Sequence, residues 1–154
     1  MKSTLIRIDN IAIVVEDMKA AIAFFTELGM EPQGGTTVEG EWVDRTVGLK
    51  DVQSEIFMMQ TPDGHSKLEL TTYHRPVAGS ADPKNPPGNT LGLHRIMFTV
   101  SDLREVLARL ETRGATLIGE VVQYENMYLL CYLRGPEGIV VALAQPLKRE
   151  PLNS

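Results

Sequence analysis

A chain of 154 residues, 43% of them apolar, can build one compact domain or two small fused modules around a buried core. A net charge of −5 with no basic run or stripe argues against a nucleic-acid partner, and no apolar run approaches the roughly 20 residues of a membrane-spanning helix. Cys131 stands alone, which excludes an intramolecular disulfide and a paired-cysteine metal knuckle, and no long apolar stretch follows Lys2 to serve as a leader, so the expected location is the cytoplasm.

In chain order, residues 5–15 alternate and then turn continuously apolar, which predicts a largely buried strand. Asp17 stands at an N-cap position; Met18, Ala21, Ile22, Phe25 and Leu28 follow at helical spacing, and Gly29 supplies the stop. Strands are expected over 30–38, 52–61 and 67–73, with a short helical insertion within 40–49. Residues 74–91 are rich in proline and glycine and read as a connector. A second strand then leads to Asp102, which with Glu105 forms a capping-box pair. Leu103, Val106, Leu107 and Leu110 make an apolar stripe that ends at Gly114, and strands are expected over 116–122, 128–134 and 139–144.

The second half repeats the first. A shift of 85 positions sets Ile11 on Ile96, Ile13 on Phe98, Val15 on Val100, Asp17 on Asp102, Phe25 on Leu110, Gly29 on Gly114 and Gly34 on Gly119. The turns Thr61-Pro62-Asp63-Gly64 and Gly135-Pro136-Glu137-Gly138 occupy matching places. An internal repeat sets architecture ahead of any single motif. The expected fold is α+β, with a first βαβββ module over 1–73, a linker over 74–91, a second module over 92–147 and a tail over 148–154. Two such copies can close around a shared cleft.

With this duplicated strand-Asp-helix-Gly pattern, Leu68-Glu69-Leu70, and Gly135-Pro136-Glu137-Gly138 before the last strand, residues 6–147 resemble the vicinal oxygen chelate superfamily. That group includes glyoxalase I, methylmalonyl-CoA epimerase, extradiol dioxygenases, and fosfomycin- and bleomycin-resistance proteins. The resemblance implies a cleft-bearing half barrel, a small-molecule ligand or substrate, and a homodimer. Reaction type does not follow from the fold, because function must be argued from the site. Enzymes of this group hold a divalent metal with His, Gln and Glu side chains, one from the first and one from the last strand of each module.

Side-chain parity and the repeat locate those four places. Ile11, Ile13 and Val15 share the face under the helix, which leaves Asn10, Ala12 and Val14 on the other; the shift yields Arg95, Met97 and Thr99 in the second module. The quartet is then Asn10, Glu69, Arg95 and Ala142. Glu69 is the one good ligand among them, since Asn10 is a weak neutral donor, Ala142 has no donor, and Arg95 is always protonated and repels a cation. The expectation is a site without metal, with Glu69 and Arg95 forming a charge-assisted pair that is either structural or the receptor for an anionic or carbonyl group. A one-residue slip would instead bring in His94, and Glu69 with His94 would provide half a site for zinc, nickel, manganese or iron.

Tyr132, on a strand beside Ala142, is a candidate for acid-base work; Trp42 on the insertion, Met97 and Tyr128 are candidate ligand walls. Met58, Met59 and Met127 read as soft lining or core, His65 and His74 as solvated, and Cys131 as inert packing. Three functions remain open. One is a metal-independent binder of a small organic ligand held in the inter-module cleft by Arg95, Glu69 and Asn10. Another is a metal-dependent lyase, isomerase, epimerase or ring-cleavage dioxygenase. The third is metal-free catalysis with Glu69 as proton acceptor and Arg95 stabilising an enolate-like charge.

Overall fold

The computed structural model describes residues 4–81 and 84–147, and the chain divides into two units, one ending at Gly79 and one beginning at Ser80. The first unit runs β1 (Ile11–Val14), α1 (Met18–Leu28), β2 (Glu31–Glu39), α2 (Glu41–Val47), β3 (Gln53–Gln60) and β4 (Lys67–Arg75). The second runs β5 (Arg95–Thr99), α3 (Leu103–Glu111), β6 (Thr116–Tyr124), β7 (Tyr128–Arg134), one 3-10 turn (Pro136–Gly138) and β8 (Val140–Pro146). Each unit is βαβββ with an added helix in the first, as the repeat predicts. The expected tail over 148–154 and the linker residues 82–83 lie outside the described residues.

The two sheets have one topology. The first has strand order β1-β4-β3-β2 and the second β5-β8-β7-β6. In each, the opening strand lies parallel to the last one and the other neighbours are antiparallel. The helix that joins the opening strand to the second covers one face of its sheet. Under α1 sit Ile13, Val15, Leu68, Leu70 and Met59, packed against Ala21, Phe24, Phe25 and Leu28. Val141, Leu143, Leu133 and Cys131 are the buried positions on the helix side of the second sheet, with Leu103, Val106, Leu107 and Leu110 facing them from α3. These apolar side chains carry most of the folding free energy of each unit, at about 1.5–3 kcal/mol for each one fully buried.

Local chemistry starts and stops the helices as expected. Asp17 accepts the Ala20 N–H at 3.0 Å and Asp102 the Glu105 N–H at 3.1 Å, each satisfying a donor that has no partner inside its helix. The reciprocal half of the capping box is replaced by another contact: Glu105 reaches one turn on to Arg109 at 3.0 Å. The free N–H of Leu103 is taken instead by the Gln145 side chain of β8 at 2.8 Å, which ties α3 to its sheet. The two expected turns close with the same hydrogen bond, since Gly64 donates to the Thr61 carbonyl and Gly138 to that of Gly135, and both glycines have positive φ; they differ at the third residue, where Glu137 has positive φ and Asp63 does not.

One expected element is wrong in extent. The strand predicted over 5–15 is reduced to Ile11–Val14, and Leu5, Ile6 and Ile8 are exposed. Pairing explains the difference. Among the described residues β1 pairs with β4 alone, and the ladder opens at Ile11 opposite Leu68, one residue after β4 begins, so residues 5–9 lie beyond the start of β4. No helix among the described residues is long and apolar enough to cross a membrane.

Candidate functional site

The sheet face turned away from the helix carries Glu69 in the first unit and Arg95, Met97 and Tyr132 in the second. On the second sheet, register places four rows across this open face: Arg95, Val140, Arg134 and Thr116; Met97, Ala142, Tyr132 and Ile118; Thr99, Ala144, Leu130 and Val122; and, beyond β5, Pro146, Tyr128 and Tyr124. One end of the face is therefore cationic, the middle apolar and the far end aromatic. Arg95, Met97 and Thr99 are exposed, in the alternation that the parity of β5 predicts.

Arg95 is held by two neighbours, Tyr132 and His94. Its guanidinium carbon lies 5.1 Å from the centre of the Tyr132 ring, a cation-π contact. Its Nη1 lies 3.2 Å from Nδ1 of His94. A guanidinium can only donate, so Nδ1 is the acceptor in this contact. The His94 ring also meets Tyr132 edge-on, with centroids 5.8 Å apart. On its other side Nε2 faces Gly88, where an added Cβ would lie 3.2 Å away. His94 precedes β5, so strand parity does not govern it, and its ring joins Arg95 and Tyr132 in one cluster.

Arg134 shares this face and was not singled out from the sequence. Its Nη1 donates to the Gly138 carbonyl at 2.8 Å and its Nη2 to that of Pro86 at 2.6 Å. It thus fastens the β7–β8 turn and the preceding connector. The available signal was its position two residues after Tyr132, on the same side of β7.

On the first sheet Glu69 lies between Ala12 on β1 and Met58 on β3. It is half-buried and accepts from Thr71 Oγ1 at 3.2 Å. Asn10 lies one residue before β1, and its amide donates to Asp9 at 3.0 Å. That bond, ahead of a smaller contribution from Arg7, holds the Asp9 carboxyl below its ordinary range. Trp42 stands 63% exposed on α2, whose attachment is made by its neighbours: Val43 is buried, and the Asp44 carboxylate accepts the N–H groups of Asp51 and Val52 at 3.0 and 2.8 Å. Tyr128 stacks on Tyr124 at 5.6 Å at the β6–β7 hairpin. Of the methionines, Met59 is core, while Met58 and Met97 belong to the open faces. His74 pairs with Glu55 at 3.5 Å.

The four places that the resemblance assigns to metal ligands do not fit a divalent cation. Asn10, Glu69, Arg95 and Ala142 offer one carboxylate, one amide already turned to Asp9, one fixed positive charge and one methyl. His94 would have to give up its contact with Arg95 to ligate through Nδ1. Among the described residues no three His, Cys, Asp or Glu side chains gather as a metal-binding group.

The sequence profile of the Glyoxalase/Bleomycin resistance protein/Dioxygenase superfamily matches residues 7–143. A crystal structure of a glyoxalase family protein from Bacillus cereus is 51% identical, covers 96% of this chain and 98% of its own, and superposes with a TM-score of 0.90. A glyoxalase/dioxygenase from Nostoc punctiforme is similar in fold at 18% identity, with 96% and 99% of the two chains covered and a TM-score of 0.66. So is an antibiotic binding protein from a Streptomyces species, at 18% identity, 94% and 98% coverage and a TM-score of 0.59. No curated protein matches the chain. Two βαβββ units, with a polar and aromatic cluster on an open sheet face, define a protein of the glyoxalase type. The chain belongs to the Glyoxalase/Bleomycin resistance protein/Dioxygenase superfamily.

Proposed function

We propose that this protein binds a small organic molecule without the divalent metal that enzymes of the family use. The observation that carries this reading is Arg95. It stands on the open face of β5 at a place where a metal ligand would be needed, over the Tyr132 ring and bonded to His94. A fixed positive charge there repels a cation and attracts an anionic or carbonyl group. Apolar side chains along the same face, Met97 and Val122 among them, are exposed and suit an organic body. The fold also serves an antibiotic binding protein, so capture of a ligand is within its repertoire.

The test is elemental analysis of the purified protein, followed by titration with zinc, nickel, manganese and iron(II). Expected are substoichiometric metal and no rise in Tm with any of the four ions. Stoichiometric metal that disappears in Glu69→Ala overturns the reading and restores a metal-dependent lyase, isomerase or dioxygenase. Native mass spectrometry of the same sample would detect a co-purified ligand directly.

A further inference from the structure

Resting on that reading, we propose that the ligand carries a carboxylate, which Arg95 receives through the fork formed by its Nε and Nη2 groups, and that an apolar body lies on Met97 and the β7 side of the open face. His94 is a positioning residue for that guanidinium.

The argument starts from what Arg95 has left to give. Its Nη1 is committed to His94. Among the described residues of its own unit it meets no carboxylate, and Nε and Nη2 have no partner there. Those two groups present parallel N–H donors in one plane, the geometry that matches the two oxygens of a carboxylate. Neither contact is with a carboxylate, so the guanidinium keeps its charge while the ring and the imidazole hold it in place. That ordering cost is met before any ligand arrives. Arg134, the other cation on this face, spends its donors on the Gly138 and Pro86 carbonyls. One available positive charge suits a monoanion better than a doubly charged phosphate ester. Beyond Arg95 the same side of β5 exposes Met97, at 46% of its surface, and the far strand exposes Ile118 and Val122. An anionic head at one end and an apolar body across the sheet follow from that order.

Calorimetric titration of the full chain with three probes of one size tests this: naphthoate, naphthalenemethanol and naphthyl phosphate. Naphthoate is expected to bind about tenfold or more tightly than naphthalenemethanol, the value of one charge-assisted pair of hydrogen bonds. The gap should close in Arg95→Gln through loss of naphthoate affinity. His94→Phe keeps a ring against Tyr132 and removes the acceptor, so it should narrow the naphthoate-to-alcohol ratio by several-fold and leave the alcohol alone. A role for His94 in folding only would move both probes together. Equal binding of acid and alcohol in the wild type overturns the carboxylate and leaves the ligand-binding reading intact. Tighter binding of the phosphate ester overturns the monoanion. Failure of all three probes to bind overturns this inference, and the metal titration above then decides the broader reading separately.

Discussion

Across the open face of the first unit, the row Ala12, Glu69 and Met58 sets its charged side chain on the inner strand β4. Across the second, the matching row Met97, Ala142 and Tyr132 sets a methyl there. The polar groups of the second unit have moved outward, to Arg95 on the edge strand and to Tyr132 and Arg134 on β7. The helix-side positions show no such exchange: Ile13 answers to Phe98, Leu70 to Leu143 and Phe25 to Leu110, always apolar for apolar. The helix side has to fill a closed volume at interior density, which limits what can stand there. The open face bears no such demand, so two copies of one plan can diverge in chemistry at little cost to folding.

The largest test of this comparison truncates the equivalent core positions. Phe25 and Leu110 are both fully buried. Phe25→Ala should cost about 3–5 kcal/mol and Leu110→Ala about 2–5 kcal/mol, read from urea denaturation midpoints. A cost below about 1 kcal/mol at either site would mean that the two cores are not built alike.

Next in size is a contrast between the two arginines of the second unit's open face. Arg134→Met leaves the Gly138 and Pro86 carbonyls without their donor, in a half-buried setting, and should cost about 1–3 kcal/mol. Arg95→Met removes an exposed group and should change stability by no more than about 0.5 kcal/mol, while abolishing the preference for naphthoate. If both variants destabilise alike, Arg95 belongs to the scaffold and the division between the two is wrong.

The helix caps come third. Asp17→Ala and Asp102→Ala each remove one accepted N–H bond. Each should cost about 1 kcal/mol, measured by thermal denaturation. A much smaller cost for Asp102 would show that Gln145, through the Leu103 N–H, carries that end of α3 by itself.

The repeat, both helices, the turns and the alternation of β5 were legible in the sequence because each is written in nearest-neighbour chemistry: a capping carboxylate, a 3.6-residue stripe, a glycine at positive φ. The extent of β1 was not, since it depends on where β4 begins, some 57 residues away along the chain by the Ile11–Leu68 pairing. Arg95 was found by parity, whereas His94 escaped parity because it lies just outside the strand. Its ring meets Tyr132 and Arg95, and Tyr132 is brought to it only by the folded second unit. Arg134 was invisible for a similar reason: its partners are backbone carbonyls, which no side-chain pattern records.

The smallest expected effect concerns the row behind that face. In the first unit the residue opposite Leu70 is Phe57; in the second, the residue opposite Leu143 is Cys131, which is buried. Burial pushes the Cys131 thiol up from its ordinary value of 9.0, against a smaller downward pull from a backbone hydrogen bond at Leu143 and with a small addition from the charge of Glu111. The folded chain therefore keeps its proton at pH values where the unfolded chain has begun to release it. The stability this gives is fully present below the unfolded thiol's value and is lost as pH rises through the folded one. Urea midpoints of the wild type and of Cys131→Ala should run parallel between about pH 6 and 8, and the wild type should fall relative to the variant above about pH 9. Iodoacetamide should leave the native thiol unmodified at pH 8 and label it fully in urea. Curves that stay parallel to pH 10, or rapid native labelling, would mean that this thiol feels solvent and that the second unit is not closed over Cys131.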